Sequence, residues 1–263
     1  MSVNVTNADG SYVKAELHAH IYTLEFHHPQ GNAVTTILLN DLTQEIAHAV
    51  YNTDIQVIVL RSAGTAFCGG ASFNELLSIN NEKEGAQFFS SVANLILAMR
   101  RCPKFIVARV HGKCVGGGLG IAAAADYAIA LEGAEVKLSE LTIGIGPFVV
   151  GPAVERKIGL SAFSQLTIDA GNWRNADWAR RKGVYAELHP TLESMEESLA
   201  KLTNSLSRYS AEATAEIKKM LWRNTENWEQ LLTENAVISG RLIISAYAKN
   251  YMAKFRENKG VSI

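Results

Sequence analysis

Two short runs of nearly continuous apolar residues, Ile55-Gln56-Val57-Ile58-Val59-Leu60 and Phe105-Ile106-Val107-Ala108-Arg109-Val110, constrain this chain most. Each is too short for a typical helix and too uniformly apolar for a half-exposed strand, so each reads as a strand covered on both faces. Strands of that kind need helices over them, and the flanking segments supply the helices. Leu38, Leu39, Leu42, Ile46, Ala49 and Val50 recur at helical spacing and predict a helix over roughly 34–52. A second helix is predicted over 84–101, ending near Pro103.

The same beat continues downstream. Leu119 to Ala125 reads as a small-residue helix, Tyr127 to Leu131 and Glu135 to Leu138 as strands, and helices follow Pro147 over 150–159 and around 161–170. Residues 12–26 alternate loosely and read as two short strands or one bent hairpin, broken by Pro29-Gln30-Gly31-Asn32. Strand–helix alternation implies an α/β fold with right-handed crossovers. From about residue 191 the pattern turns helical, with Ser210 a good N-cap. The chain therefore divides into a core over 1–190 and a helical C-terminal region over 191–263.

Composition excludes several functions. A net charge of −1 does not provide the basic face that nucleic acid requires. Charged residues are 19% of the chain, against about 25% in an average domain, and the apolar surplus suits an interface between copies. Cys68, Cys102 and Cys114 form no CxxC pair and read as reduced thiols. The polar stretch Met1 to Gly10 lacks the pattern of a secretory leader, and no apolar run is long enough to span a membrane. The expectation is a soluble cytoplasmic protein.

Glycine-bearing segments follow the two buried strands: Gly64 to Phe73, and Val115-Gly116-Gly117-Gly118-Leu119-Gly120-Ile121. Such glycines permit positive φ and close approach of backbone to a ligand. The second segment also opens a helix, whose free N–H groups favour negative charge. Two amides converging from these loops can hold an oxyanion; equally, the glycines can serve only tight packing. Neither segment fits GxGxxG or a P-loop. Glu140, ahead of the Gly/Pro turn Gly144-Ile145-Gly146-Pro147-Phe148, becomes a usable base if buried and a mere cap if not. His18-Ala19-His20 places two imidazoles on one strand face, a spacing used for metals, but His27-His28 and His111 complete no ligand set, so no metal is expected. Asp126 reads as a cap or ion-pair partner.

Val57 to Leu76, centred on Ala66-Phe67-Cys68-Gly69-Gly70-Ala71, resembles the first signature of the crotonase (enoyl-CoA hydratase/isomerase) superfamily, and Gly112 through Asp126 resembles the second. Pro29 with Asn32-Ala33-Val34 is similar to an early family element. The resemblance spans roughly 12–190. It implies a spiral of ββα units with a C-terminal helical region that builds homotrimers or dimers of trimers. It also implies acyl-CoA thioester substrates, with CoA part of the substrate and no separate cofactor. The family's oxyanion amides fall on Ala71 and Gly117, and its acid/base glutamate on Glu140. Gly70, Ser72, Phe73, Gly116, Gly120, Pro147 and Phe148 are the accompanying substrate-binding positions. Phe73, Leu76, Leu77, Phe88 and Phe148 suggest an apolar acyl pocket and could equally be ordinary core. Arg61 and Lys254 could meet CoA phosphates, although solvated surface cations are the commoner reading for each, and Phe255 resembles the family's terminal segment.

The departures are informative. Hydratases of the family carry a further glutamate two residues beyond the glycine triplet, where this chain has Gly120. Ser72 stands where the family usually has Asp. Residues Glu140 to Phe148 resemble the single-glutamate enoyl-CoA isomerases, which need one base to move a proton from the alpha to the gamma carbon. Methylglutaconyl-CoA hydratase-like sequences can look similar here, so a hydratase is the first alternative. A non-catalytic acyl-CoA binding protein is the second.

Overall fold

The computed structural model describes residues 2–259, and the side chains of 6–254. In chain order the elements are β1 (Ser2–Thr6), β2 (Tyr12–His18), β3 (Ile21–His27), α1 (Thr36–Tyr51), β4 (Val57–Ser62), α2 (Phe73–Ser78), α3 (Glu82–Arg101), β5 (Phe105–Val110), β6 (Cys114–Val115) and α4 (Gly117–Ala124). There follow β7 (Tyr127–Leu131), β8 (Val136–Lys137), a 3₁₀ turn (Glu140–Ile143), α5 (Gly151–Ile168), α6 (Ala176–Lys182), β9 (Glu187–His189), α7 (Leu192–Leu206), α8 (Ala211–Leu221), α9 (Trp228–Ile243) and α10 (Ala246–Lys259).

A seven-stranded sheet runs in the order β1-β2-β3-β4-β5-β7-β9. Its first three strands form an antiparallel meander; the rest are parallel. The β2–β3 turn consists of Ala19 and His20, both at positive φ (46° and 68°), between the paired residues His18 and Ile21. Positive φ at both centres lets a two-residue turn follow the twist of its strands. His20 thus lies in the turn, not on a strand face with His18, which corrects the expected imidazole pair. The parallel strands are covered on both faces. Ile58, Leu60, Ile106, Ala108, Ala128 and Ala130 join the main core with α1 and α3. Val57, Val59, Val107 and Ile129 pack with Met195 and Leu199 of α7.

A second, shorter sheet is built from β6 and β8 and extended by single bridges: Cys68 with Cys114, Val34 with Ala71, and Val136 with Arg174. Each long strand is followed by a short extended segment and then helix: β3, Val34, α1; β4, Cys68 to Ala71, α2 and α3; β5, β6, α4; β7, β8, α5. This is the crotonase-like spiral of ββα units. α5 breaks at Gly159 (φ 74°, ψ 159°), reproducing the two helices expected there.

The C-terminal helices are tied to the core through Asp126. Its carboxylate accepts from the Ile106 amide (2.8 Å) and Trp222 Nε1 (2.9 Å), and pairs with Lys218 Nζ at 2.9 Å. Lys218, only 2% exposed, also donates to the Lys104 carbonyl. The ion-pair reading of Asp126 is therefore correct. α9 crosses α3 where Gly85 meets Gly240, so closely that a Cβ on Gly85 would stand 2.7 Å from Gly240 Cα.

Candidate active site

The two glycine segments meet at one pocket. Gly70 adopts φ 96° and Gly116 φ 50°, conformations that favour glycine. The bridge at Val34 fixes the direction of the Ala71 amide. Val34 N donates to the Gly70 carbonyl (2.8 Å) and Ser72 N to the Val34 carbonyl (2.9 Å). The Ala71 N–H therefore faces away from Val34, toward the flank where Cys68 pairs with Cys114. Gly117 is the first residue of α4, so its N–H has no acceptor within the helix. Gly70, Ala71, Gly116 and Gly117 all line the pocket.

Glu140 enters the same pocket from the start of the 3₁₀ turn. The turn is closed by Gly144 (φ 81°), and the Ile145 amide donates back to the Glu140 carbonyl at 3.1 Å. Glu140 Oε1 reaches across Gly116, 2.9 Å from where a Cβ there would stand. Oε2 is shut off from solvent and has no hydrogen-bond partner. Burial pushes the carboxyl up to about 7, only partly opposed by a backbone hydrogen bond. Such a group can both take and return a proton near neutrality.

The remaining walls are chiefly apolar. Phe73, Leu76, Phe88 and Pro147 stand where the sequence suggested, whereas Leu77 and Phe148 are not on the wall. The Phe148 ring instead covers Gly146, 2.6 Å from where a Cβ would be, and its carbonyl accepts from Asn235 Nδ2. Ser72 is buried as the N-cap of α2, accepting from the Glu75 amide at 3.4 Å, and does not line the pocket. Gly120 lies one turn along α4 from Gly116, its N–H donating to the Gly116 carbonyl. A Cβ at Gly120 would stand 2.5 Å from Val150 Cγ1, so Val150 fills that space and forms the wall. Sequence reasoning missed Val150, Val149, Ile143, Ile145, Val92, Ser139 and Ser239. Ile143 and Ile145 flank the proposed base at short intervals and were the most readable of these; Ser239 comes from α9 and left no signal.

Other candidates lie elsewhere. Arg61 pairs with Glu25 at 2.8 Å, Lys254 is exposed, and the Phe255 side chain is outside the described residues. Among the described residues no cluster of three His, Cys, Asp or Glu could hold a metal. His20 Nδ1 meets the Asp54 carbonyl, His111 Nε2 the Gly64 carbonyl, and the His27 ring packs on Tyr12. All three cysteines are free and buried, and burial raises the Cys68 thiol to about 12, so it is no nucleophile. No helix among the described residues is long and apolar enough to cross a membrane.

Comparison with known proteins agrees with this architecture. The family model described as enoyl-CoA hydratase/isomerase matches residues 16–260. A probable enoyl-CoA hydratase of Bacillus subtilis (strain 168) is 25% identical over 241 residues, 91% of this chain and 93% of that protein. The peroxisomal Delta(3,5)-Delta(2,4)-dienoyl-CoA isomerase of Arabidopsis thaliana is 23% identical over 230 residues, 81% of each. The crystal structure of enoyl-CoA hydratase from Bacillus halodurans superposes with a TM-score of 0.85 at 22% identity, covering 92% of this chain and 99% of that one.

Proposed function

The chain belongs to the enoyl-CoA hydratase/isomerase family, and on that premise we propose that it shifts the double bond of a 3-enoyl-CoA thioester to the 2-position. In this reading the thioester oxygen accepts from the Ala71 and Gly117 amides. Each such donor is typically worth roughly 10²–10³ in rate, and together they make an enolate accessible. Glu140 takes a proton from the alpha carbon. The C–H electron pair spreads into the carbonyl and the neighbouring double bond. The same carboxyl then returns the proton at the gamma carbon, leaving the double bond conjugated with the thioester. CoA is part of the substrate, and the chemistry calls for no separate cofactor.

The observation that carries this reading is that Glu140 is the one carboxylate lining the pocket among the described residues, and that its buried Oε2 has no hydrogen-bond partner. One base suffices for a proton shift, whereas hydration by the family's usual route uses two. Hydration is the second reading, favoured by names such as the 2,3-dehydroadipyl-CoA hydratase of Escherichia coli (strain K12) among the relatives. The test offers 3-enoyl-CoA and 2-enoyl-CoA esters to the protein and to Glu140→Gln. Migration without water addition, lost in the variant, supports the isomerase. Hydration lost in the variant supports the hydratase. Tight binding with no turnover of either ester leaves an acyl-CoA binding protein.

The same proposal includes a cytoplasmic homotrimer or dimer of trimers, with the division at 190/191 marking off the assembly region. Support comes from α8, which leaves Ile217, Met220 and Leu221 exposed on its outer side.

A further inference from the structure

Gly116 is the N-cap of α4, with non-helical φ 50° and ψ −114°, and Gly120 lies in the first turn, its N–H donating to the Gly116 carbonyl. Glu140 Oε1 lies over Gly116 and the Val150 isopropyl group over Gly120. The carboxylate and the isopropyl group therefore both pack on the first turn of α4, and Glu140 and Val150 line the same pocket. Val150 is held firmly there. It is 4% exposed, sits at the N-cap of α5, and its carbonyl accepts from the Val154 amide at 3.1 Å. Its pocket neighbours Val149, Ile143 and Ile145 are apolar as well. A resident water needs two to four polar partners, and the side chains of Val150, Val149, Ile143 and Ile145 supply none.

We propose that Val150 sets the reaction outcome: its isopropyl group excludes a nucleophilic water beside Glu140, so that the proton Glu140 removes goes back to carbon. The inference rests on the enolate reading above and adds the reason that the enolate pathway does not end in hydration. In the alternative outcome, water oxygen bonds to C3 of the 2-enoyl ester, its displaced proton goes to the Glu140 carboxylate or to solvent, and C2 takes up a proton.

The test compares wild type with Val150→Thr, which keeps the shape but gives a water one partner, and Val150→Ala, which opens space. Each is offered a 2-enoyl-CoA ester, and the 3-hydroxyacyl product is measured against the double-bond isomer. Alpha-carbon deuterium exchange from a saturated acyl-CoA in D₂O is measured alongside. The expected result is that the ratio of hydrated to isomerised product rises at least about tenfold in Val150→Thr. An unchanged ratio in Val150→Thr with exchange still detectable overturns the proposal. So does a wild type that hydrates as fast as it isomerises, even though exchange would then leave the enolate reading standing. A wild type without alpha-carbon exchange removes the enolate reading itself. Should Val150→Ala lose its thermal transition, the near-isosteric Val150→Thr decides alone.

Discussion

The proposed reaction concentrates its chemistry in the Glu140 side chain, whose environment makes two measurements decisive. The carboxyl is raised to about 7 by burial, so its base form grows in as pH rises through that value. The initial rate of alpha-proton exchange is expected to climb between about pH 6 and 8 and then level off, and Glu140→Gln to lower it by roughly 10²–10⁴. The same shift has a sign in stability. Between the ordinary carboxylate range and about 7, the folded state holds a proton that the unfolded state has lost, so stability falls as pH rises through that window. The loss is on the order of 3 kcal/mol for a shift of this size. Urea titrations at about pH 5 and pH 8 are expected to show a smaller drop in Glu140→Gln than in wild type. That the two glycine segments and Glu140 meet at one pocket was legible, because glycines after buried strands and a carboxylate before a Gly/Pro turn leave local marks, while the family resemblance singled out Ala71 and Gly117. Val150 was not, because its meaning lies in a contact with Gly120 across the fold.

Among the elements, those with long apolar runs or regular spacing were legible and the short ones were not. β5 and β7 fall where the sequence put them, and β4 begins two residues later than expected, because Ile55 belongs to the preceding turn although it is buried. β9 and α2 were missed: β9 is three residues of mixed polarity and α2 six residues capped by Ser72. Their existence depends on docking against partners already in place. β1 was missed because its sequence is polar and reads as a terminus. The tail's attachment to the core turns on the Asp126–Lys218 pair, buried on both sides. Lys218→Ala leaves that carboxylate without its cation and is expected to cost about 3–5 kcal/mol in chemical denaturation. Gly240→Ala acts on the α3–α9 crossing instead. Its methyl group meets the backbone of Ala86, and a loss of about 1–3 kcal/mol is expected from overpacking.

At the scale of the molecule, the spiral repeats one unit along the chain, yet no repeat was visible in the sequence. The short segments at Val34, Cys68 to Ala71, β6 and β8 occur at unequal intervals, and the helices between them differ in length. Geometry repeats here while residue spacing does not. The exposed apolar side of α8 belongs to this scale too. Light scattering is expected to give three or six times the 28.6 kDa chain mass, and Ile217→Glu combined with Met220→Glu to lower it. The crowding at Gly120 reaches beyond a single molecule, to its lineage. Glutamate codons lie close to glycine codons, but a glutamate at position 120 has nowhere to go while Val150 remains. The order of mutational steps is therefore constrained: residue 150 must shrink before a second carboxylate can be tried. Laboratory selection for water addition, starting from this gene, is expected to fix changes at 150 first; lineages that fix Gly120→Glu on an intact Val150 and stay folded would refute that order.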